Sequence, residues 1–313
     1  MILTINSDLE KQNKASSKTI LAGDLGVSRQ LLYYKHKLPD KDLLLSDQIK
    51  KVMERHKSYG YRRIAIELKV NHKRVLRVMK LFNLKIKRSP RIPLKRMDKG
   101  FVASEAAVNL ISKLEINYPN QVWSADFTYL PFFKRFYYLA TVIDAFTREI
   151  IGYAISNRHN TELVSEALFD AFKKRQNKPE IFHSDQGSEY RSKYFTKLLL
   201  EKNIKISMSK KASPWQNGRQ ESLYGKFKLE LGHPEIYQDP GELVEAIALQ
   251  IHYYNNDRIH SVFKCPPRVF YEYYMSNIKY LEQNKCQKEL PNILQKIVIF
   301  SSIIYCKFCK ILF

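Results

Sequence analysis

The sequence predicts an α/β protein: a mixed five-stranded sheet with flanking helices, preceded by all-α helix-turn-helix modules. Three observations predict it. From residue 118 onward, strand-like and helix-like segments alternate as βββαβαβα, and a three-strand meander followed by αβαβα suits a mixed sheet covered on both faces. Before that point, residues 18–84 carry apolar side chains at helical spacing. Charge divides in the same place: residues 1–100 hold 25 Lys/Arg against 9 Asp/Glu, and residues 101–313 hold 28 against 22.

Residues 1–42 form the first expected module. Within it, 18–36 read as a helix-turn-helix in which Leu21 and Leu25 pack inward and Gly26-Val27-Ser28 supplies the turn. The Ser28 hydroxyl suits the cap of the next helix, which offers Arg29 and Tyr33 to phosphates or bases. Residues 43–84 give a second module. Leu44, Leu45, Ile49, Val52 and Met53 suit one helix, the segment Ser58-Tyr59-Gly60-Tyr61-Arg62-Arg63-Ile64 opens another, and Asn71 caps a third. In that third helix Val75, Val78, Met79 and Phe82 fall at i, i+3, i+4 and i+7, with Lys73, Arg74, Arg77 and Lys80 towards the other side. One buried stripe and one basic side suit a helix that enters a DNA groove, and no acid occurs from 68 to 97. Residues 85–117 read as a linker whose first half is basic and interrupted by prolines.

The core is expected over 118–272 and includes a C-terminal helix. Strands are predicted at Gln121–Leu130, Phe136–Asp144 and Glu149–Ile155, where aromatic and β-branched residues cluster between short turns. A helix over Thr161–Lys174, capped by Thr161, is followed by strand Glu180–Ser184, helix Ser192–Lys202 and strand Ile204–Met208. Helices at about 216–231 and 240–256 close the core, and 273–313 is a divergent tail.

Three carboxylates stand out. Asp126 lies inside Trp-Ser-Ala-Asp-Phe-Thr-Tyr, Asp185 ends the run Ile181-Phe182-His183-Ser184, and Glu221 lies on a predicted helix with 35 residues between it and Asp185. Divalent ions held side by side can activate an attacking oxygen and stabilise a leaving oxygen in phosphoryl transfer, and hard ions such as Mg²⁺ take carboxylate oxygens. Asp126 and Asp185 meet if the first and fourth strands are neighbours, and Glu221 then comes across from its helix. Asn217, Glu221, Tyr224 and Lys228 project from about one side of that helix, so Lys228 is a candidate to hold a phosphate. A rival set is Asp126, Asp144 and Asp185, although Asp144 also suits a turn. His183 shares a strand face with Asp185 and suits packing or support, and Glu189 suits a turn.

A net charge of +22 and a pI of about 9.7 favour a polyanionic partner. No basic and apolar leader opens the chain, and Ile297–Ile304 is far shorter than a membrane span. The four cysteines, Cys265, Cys286, Cys306 and Cys309, do not form a disulfide framework, and Cys306-Lys-Phe-Cys309 has no second ligand pair. A reducing cytoplasm is therefore expected, with no membrane association.

With these residues placed, the chain resembles a DDE transposase of the insertion sequence 3 family with a retroviral-integrase-like core. The resemblance rests on Trp123–Tyr129, Tyr138–Gly152, His183–Tyr190, Ser213–Glu230, Tyr254–Ser261 with Pro266-Pro267, and Tyr59–Ile64. It implies a ribonuclease H-like fold, catalytic and metal-binding roles for Asp126, Asp185 and Glu221, and two Mg²⁺ ions, with Mn²⁺ as the alternative. It also implies strand cleavage and transfer at the ends of an insertion sequence, by direct attack of water or a DNA 3′-hydroxyl. Double-stranded DNA and further copies of the chain are the implied partners, in the nucleoid of a prokaryote. Family members are often fused to an upstream-frame product carrying a helix-turn-helix and a leucine zipper. This chain shows no sustained heptads and reads as the downstream-frame product. The expected DNA contacts are Arg29, Tyr33, Arg62, Arg63, Lys73, Arg74, Arg77 and Lys228. The competing reading is a catalytically inactive DNA-binding repressor derived from a transposase.

Overall fold

The computed structural model describes residues 18–30, 38–86, 108–209 and 214–283, without the side chains of 18, 19, 21, 214–221 and 279–283. Tyr33, most of the expected linker, and Cys286, Cys306 and Cys309 lie outside the described residues. The chain forms two compact units, Met1–Gln48 and Ile49–Phe313. The first holds helix α1 (Lys18–Asp24) and the start of α2 (Leu38–Arg55). The break falls within α2, so most of the segment expected as a separate second module belongs to the same unit as the sheet.

In that second unit, α3 (Tyr61–Glu67) and α4 (His72–Leu81) follow the end of α2. Asn71 caps α4 as expected, its side chain accepting from the Lys73 N–H at 2.9 Å. Val75, Val78 and Met79 are buried along one side of α4, while Lys73, Arg77 and Lys80 are exposed. An apolar stripe at helical spacing thus fixes which side of α4 meets solvent.

The sheet consists of β1 (Val122–Phe132), β2 (Arg135–Asp144), β3 (Ile150–Ser156), β4 (Ile181–Ser184) and β5 (Lys205–Met208). Its order is β3-β2-β1-β4-β5. β1, β2 and β3 are antiparallel neighbours, whereas β4 is parallel to β1 and β5 is parallel to β4. This is the mixed five-stranded sheet that the element order implied, in the ribonuclease H-like arrangement that the resemblance implied. β1 is longer than expected because it continues through Pro131 to Phe132. β4 pairs only with Val122–Ser124, so the later part of β1 has no strand on that side, a position where a proline is tolerated.

Alternation along the strands sends side chains to two cores. On one face Trp123, Ala125, Ala140, Val142 and Phe182 pack with α5 (Thr161–Arg175) and α6 (Lys193–Glu201) through Leu163, Ala167, Phe195 and Leu199. On the other, Leu130, Phe132, Leu139, Ile143 and Ile150 pack with α7 (Pro214–Leu231) and α8 (Pro240–Asn256) through Tyr224, Phe227, Ile247 and Ile251. The cap of α5 is Asn160, not Thr161: Asn160 has extended backbone angles and its side chain accepts from Leu163 N–H at 3.2 Å. The last helix, α9 (Pro267–Gln283), crosses residue 272, so the boundary expected there falls inside a helix.

Gly152 sets the distance between β3 and α5. A Cβ there would lie 2.2 Å from the Ala167 carbonyl oxygen, 2.6 Å from Ala171 N and 2.7 Å from Ala171 Cβ. Two of these are backbone atoms, so relief requires moving the helix or the strand. Gly152→Ala is expected to lower the unfolding free energy by about 3 kcal/mol, the upper end of ordinary overpacking. Urea denaturation checks this, and an unchanged midpoint would refute the close-approach argument.

Candidate active site and flanking basic surface

The sheet register brings Asp126 and Asp185 together. Ser124 on β1 is paired with His183 on β4, in parallel. Two residues further along each chain stand Asp126, still on β1, and Asp185, the first residue past the end of β4, so the register directs both to the same end of adjacent strands. Phe182 points into the opposite core, which fixes the face taken by His183 and Asp185. Asp126 and Asp185 both act electrostatically on the buried phenols of Tyr190 and Tyr224. Burial raises both phenols well above the usual tyrosine range, and Asp126 is the next cause in each.

Burial also holds the Asp185 carboxyl above its ordinary value, opposed by the Gly187 N–H that donates to its Oδ1 at 2.9 Å. The nearby Glu189 charge adds to the upward shift. A carboxylate kept from water is a donor that a hard divalent cation would neutralise. Among the described residues no group of three or more His, Cys, Asp or Glu side chains is placed to hold a metal ion. Glu221 lies on α7, and its side chain is outside those described.

The helix that carries Glu221 is nonetheless fixed to the aspartate strand. Tyr224, three residues further along α7, donates its hydroxyl to the Asp126 carbonyl at 2.7 Å and sits 2.8 Å from Thr141 Oγ1 on β2. Residues three apart share a helix side, so Glu221 is one turn before this contact. One turn further on, Lys228 is half-buried with its Nζ 4.7 Å from the centre of the Tyr129 ring. Burial lowers the Lys228 pKa.

Asp144 does not belong to this group. It is opposite Trp123, three positions from Asp126, or roughly 10 Å along the strand. Its oxygens accept from the backbone N–H groups of Asn120 at 2.7 Å, Phe146 at 2.9 Å and Thr147 at 3.0 Å. It organises the β2–β3 turn, and the rival set of three aspartates does not assemble. Glu189 lies in a turn, as expected, and is also buried, with its Oε1 2.9 Å from His159 Nδ1. His183 is fully buried beside Ser207 Oγ at 2.9 Å, and burial takes its pKa down to about 4. Its ring thus remains neutral.

Residues 117–214 match the integrase core domain family, and residues 202–265 match a second family with the same description. The chain is 36% identical over 240 residues to the transposase for insertion sequence element IS904 of Lactococcus lactis subsp. lactis, covering 72% of this chain and 94% of that protein. The chain belongs to the insertion-sequence transposases with an integrase core domain. It is also 30% identical over 226 residues to the transposase for insertion sequence element IS629 of Shigella sonnei, covering 70% of this chain and 75% of that protein. A solved structure of the HTLV-2 integrase catalytic core domain in complex with magnesium aligns with 48% of this chain and 94% of its own, at 21% identity and a TM-score of 0.37.

One further part of the transposase departs from what the sequence suggested. The Ser58–Ile64 segment was expected to present Arg62 and Arg63 outward. Arg62 is exposed, beside the Tyr61 hydroxyl at 3.2 Å. Arg63 instead turns inward, its guanidinium 5.4 Å from the Tyr59 ring centre, and burial with the Arg258 charge lowers its pKa. Tyr59 is fully buried and its hydroxyl accepts from the Ile259 N–H at 2.7 Å. His56 Nδ1 is 2.7 Å from the Tyr253 hydroxyl. The segments 56–63 and 253–260 therefore form one clasp. Sequence reading separated them because nothing in either stretch names its partner.

His260 sits in that clasp with its Nδ1 buried and without a hydrogen-bond partner among the described residues. Burial first, then Arg148, Arg258, Arg63 and Lys226, take its pKa down to about 3. The unfolded chain then binds a proton that the folded chain refuses between pH 6.5 and 3. Stability is therefore fully present above about 6.5 and is lost as pH falls. We expect a loss of about 2 kcal/mol between pH 6.5 and 5, from about 1.4 kcal/mol per pH unit. Urea titrations across this range check it, and His260→Gln should flatten the slope.

Among the described residues no helix of the transposase is long and apolar enough to cross a membrane.

Proposed function

We propose that Asp126, Asp185 and Glu221 are the catalytic carboxylates of this transposase and hold two divalent ions, Mg²⁺ or Mn²⁺. The observation that carries this reading is the parallel pairing of Ser124 with His183, each two residues before one of the aspartates, with the Glu221 helix tied to Asp126 through Tyr224. When bound, the ions supply charge stabilisation to the attacking and leaving oxygens. The chain's own residues orient the reaction. Asp126 and Asp185 fix the metal-binding edge, α7 brings Glu221 across, and Lys228 offers an ammonium to the neighbouring phosphate. Water attacks phosphorus in cleavage and a DNA 3′-hydroxyl attacks it in strand transfer, and the opposite P–O bond breaks without a covalent bond to the protein.

The segments 1–42 and 43–84, ahead of the basic linker, act as DNA-gripping elements for the core, which runs to the end of α9 at Gln283, with the residues beyond as an appended tail. Lys73, Arg74 and Arg77 on α4, together with Arg29, Tyr33, Arg62 and Lys228, are the proposed DNA contacts. Arg63 supports the clasp in place of touching DNA. Double-stranded element ends and target DNA are the proposed substrates, processed by more than one copy of the chain in the nucleoid region of a prokaryotic cytoplasm. Association with an upstream-frame product fits a downstream-frame member of the insertion sequence 3 family. A strand-transfer assay with labelled element ends and Mg²⁺ tests the core claim. Asp126→Asn, Asp185→Asn and Glu221→Gln should each abolish cleavage while DNA binding persists, and cleavage at the wild-type rate would overturn it.

A further inference from the structure

The β1–β2 hairpin extends beyond the part of the sheet that β4 covers. Its tip is the two-residue turn Phe133-Lys134, and Phe133 adopts a φ of +49°, a left-handed conformation unusual for a bulky residue. Turns of this kind favour Asn and Gly, so an aromatic ring here carries a conformational cost. Burial does not offset it: Phe133 is 60% exposed. Phe136 and Tyr129 are 51% and 56% exposed and meet edge to face at 5.8 Å. Lys134 and Arg135 lie exposed between the rings, and the hairpin has no acid between Asp126 and Asp144. Lys228 of α7 adds its ammonium above Tyr129, and no carboxylate among the described residues is paired with it.

Open aromatic faces interleaved with cations fit a partner that carries both negative charge and flat apolar surfaces. Nucleotide bases on a phosphate chain have both. In a duplex the base faces are covered by neighbouring pairs, so stacking on these rings requires unpaired nucleotides. A second copy of this chain is disfavoured, because its net charge is +22 and like hairpins would oppose Lys134 and Arg135 to the same cations. Tyr129 is three residues from Asp126, about 10 Å along the strand. The odd offset turns the Tyr129 ring to the other face, so a nucleotide strand running from Asp126 to the ring rounds the side of β1 that β4 leaves uncovered.

We propose that Tyr129, Phe133 and Phe136, with Lys134, Arg135 and Lys228, form a stacking platform for unpaired nucleotides flanking the scissile phosphate. The proposal rests on the reading of Asp126 and Asp185 as the DNA-processing site. The test uses the full chain and two probes, a single strand of about 12 nucleotides with 2-aminopurine at its centre and a duplex of the same length. Wild type should alter the 2-aminopurine fluorescence on binding. Phe133→Ala with Phe136→Ala should weaken single-strand binding about tenfold, while duplex affinity changes less than about twofold. Phe133→Trp with Phe136→Trp should restore it. Unchanged single-strand affinity in the alanine variant would overturn the platform. So would an equal loss on both probes, or a shift to monomers in sedimentation with DNA affinity intact. Asp126→Asn separates the two readings: it should keep the fluorescence change and lose cleavage. If it cleaves, the catalytic assignment fails whatever the platform does.

Discussion

Replacing Glu230 with alanine lowers the unfolding free energy by about 3–5 kcal/mol, the usual cost of removing one partner of a buried ion pair. Glu230 lies on α7 and is 8% exposed, and Arg258, just past the end of α8, is 4% exposed. Glu230 Oε1 accepts from Arg258 Nε at 2.8 Å and from the Ser58 hydroxyl, and Oε2 accepts from Gln250 at 2.9 Å. Arg258 Nη2 also donates to Ser58 Oγ at 3.2 Å. This one carboxylate therefore joins three stretches of chain. It is also the anion among several cations: Arg258, Arg63 and Lys226 all act on this region, and burial lowers the pKa of both Arg63 and Lys226. Without Glu230, Arg258 stays buried and unpaired. Urea denaturation of Glu230→Ala measures the loss. Glu230→Leu with Arg258→Leu should recover part of it, because an apolar pair leaves no orphaned charge. A Glu230→Ala midpoint equal to wild type would show that the clasp carries no stability.

How far the fold and site were legible follows from what each prediction needed. The sheet was readable because every strand has its own local pattern and the order βββαβαβα allows few arrangements. The Asp126–Asp185 meeting was readable for the same reason, since it requires only that β1 and β4 be neighbours. The clasp was not readable. Tyr59 and Ile259 are separated by 200 residues, and a Tyr-Gly-Tyr-Arg-Arg run looks basic and exposed until Tyr59 is found fully buried. A signal was present, because two tyrosines and an isoleucine around Gly60 are more apolar than a solvent-facing DNA motif needs. Only the full length of the hairpin was hidden, because the expected first strand stopped just before Pro131. With no strand beside that part of β1, the proline ends nothing. Asn160 displaced Thr161 as a cap because both residue types can cap and only backbone angles choose between them.

Asp185→Asn is expected to cost at least about 10³ in cleavage rate while leaving the fold more stable at pH 7. The rate follows from the chemistry. A metal site contributes several kcal/mol of charge stabilisation, and each 1.36 kcal/mol is a factor of ten. The stability follows from burial. The folded pKa of Asp185 lies above its unfolded value, so the folded state holds its proton more tightly, and ionisation above about pH 3.8 works against folding. Asparagine removes that charge and keeps an oxygen for the Gly187 N–H. Asp126→Asn and Glu221→Gln should match the loss of rate. The paired outcome matters because a misfolded variant also loses activity. An inactive Asp185→Asn with a raised melting temperature points to a carboxylate retained for metal chemistry at the expense of the fold. An inactive variant with a lowered melting temperature would make Asp185 a structural residue, and an active one would remove it from the catalytic set.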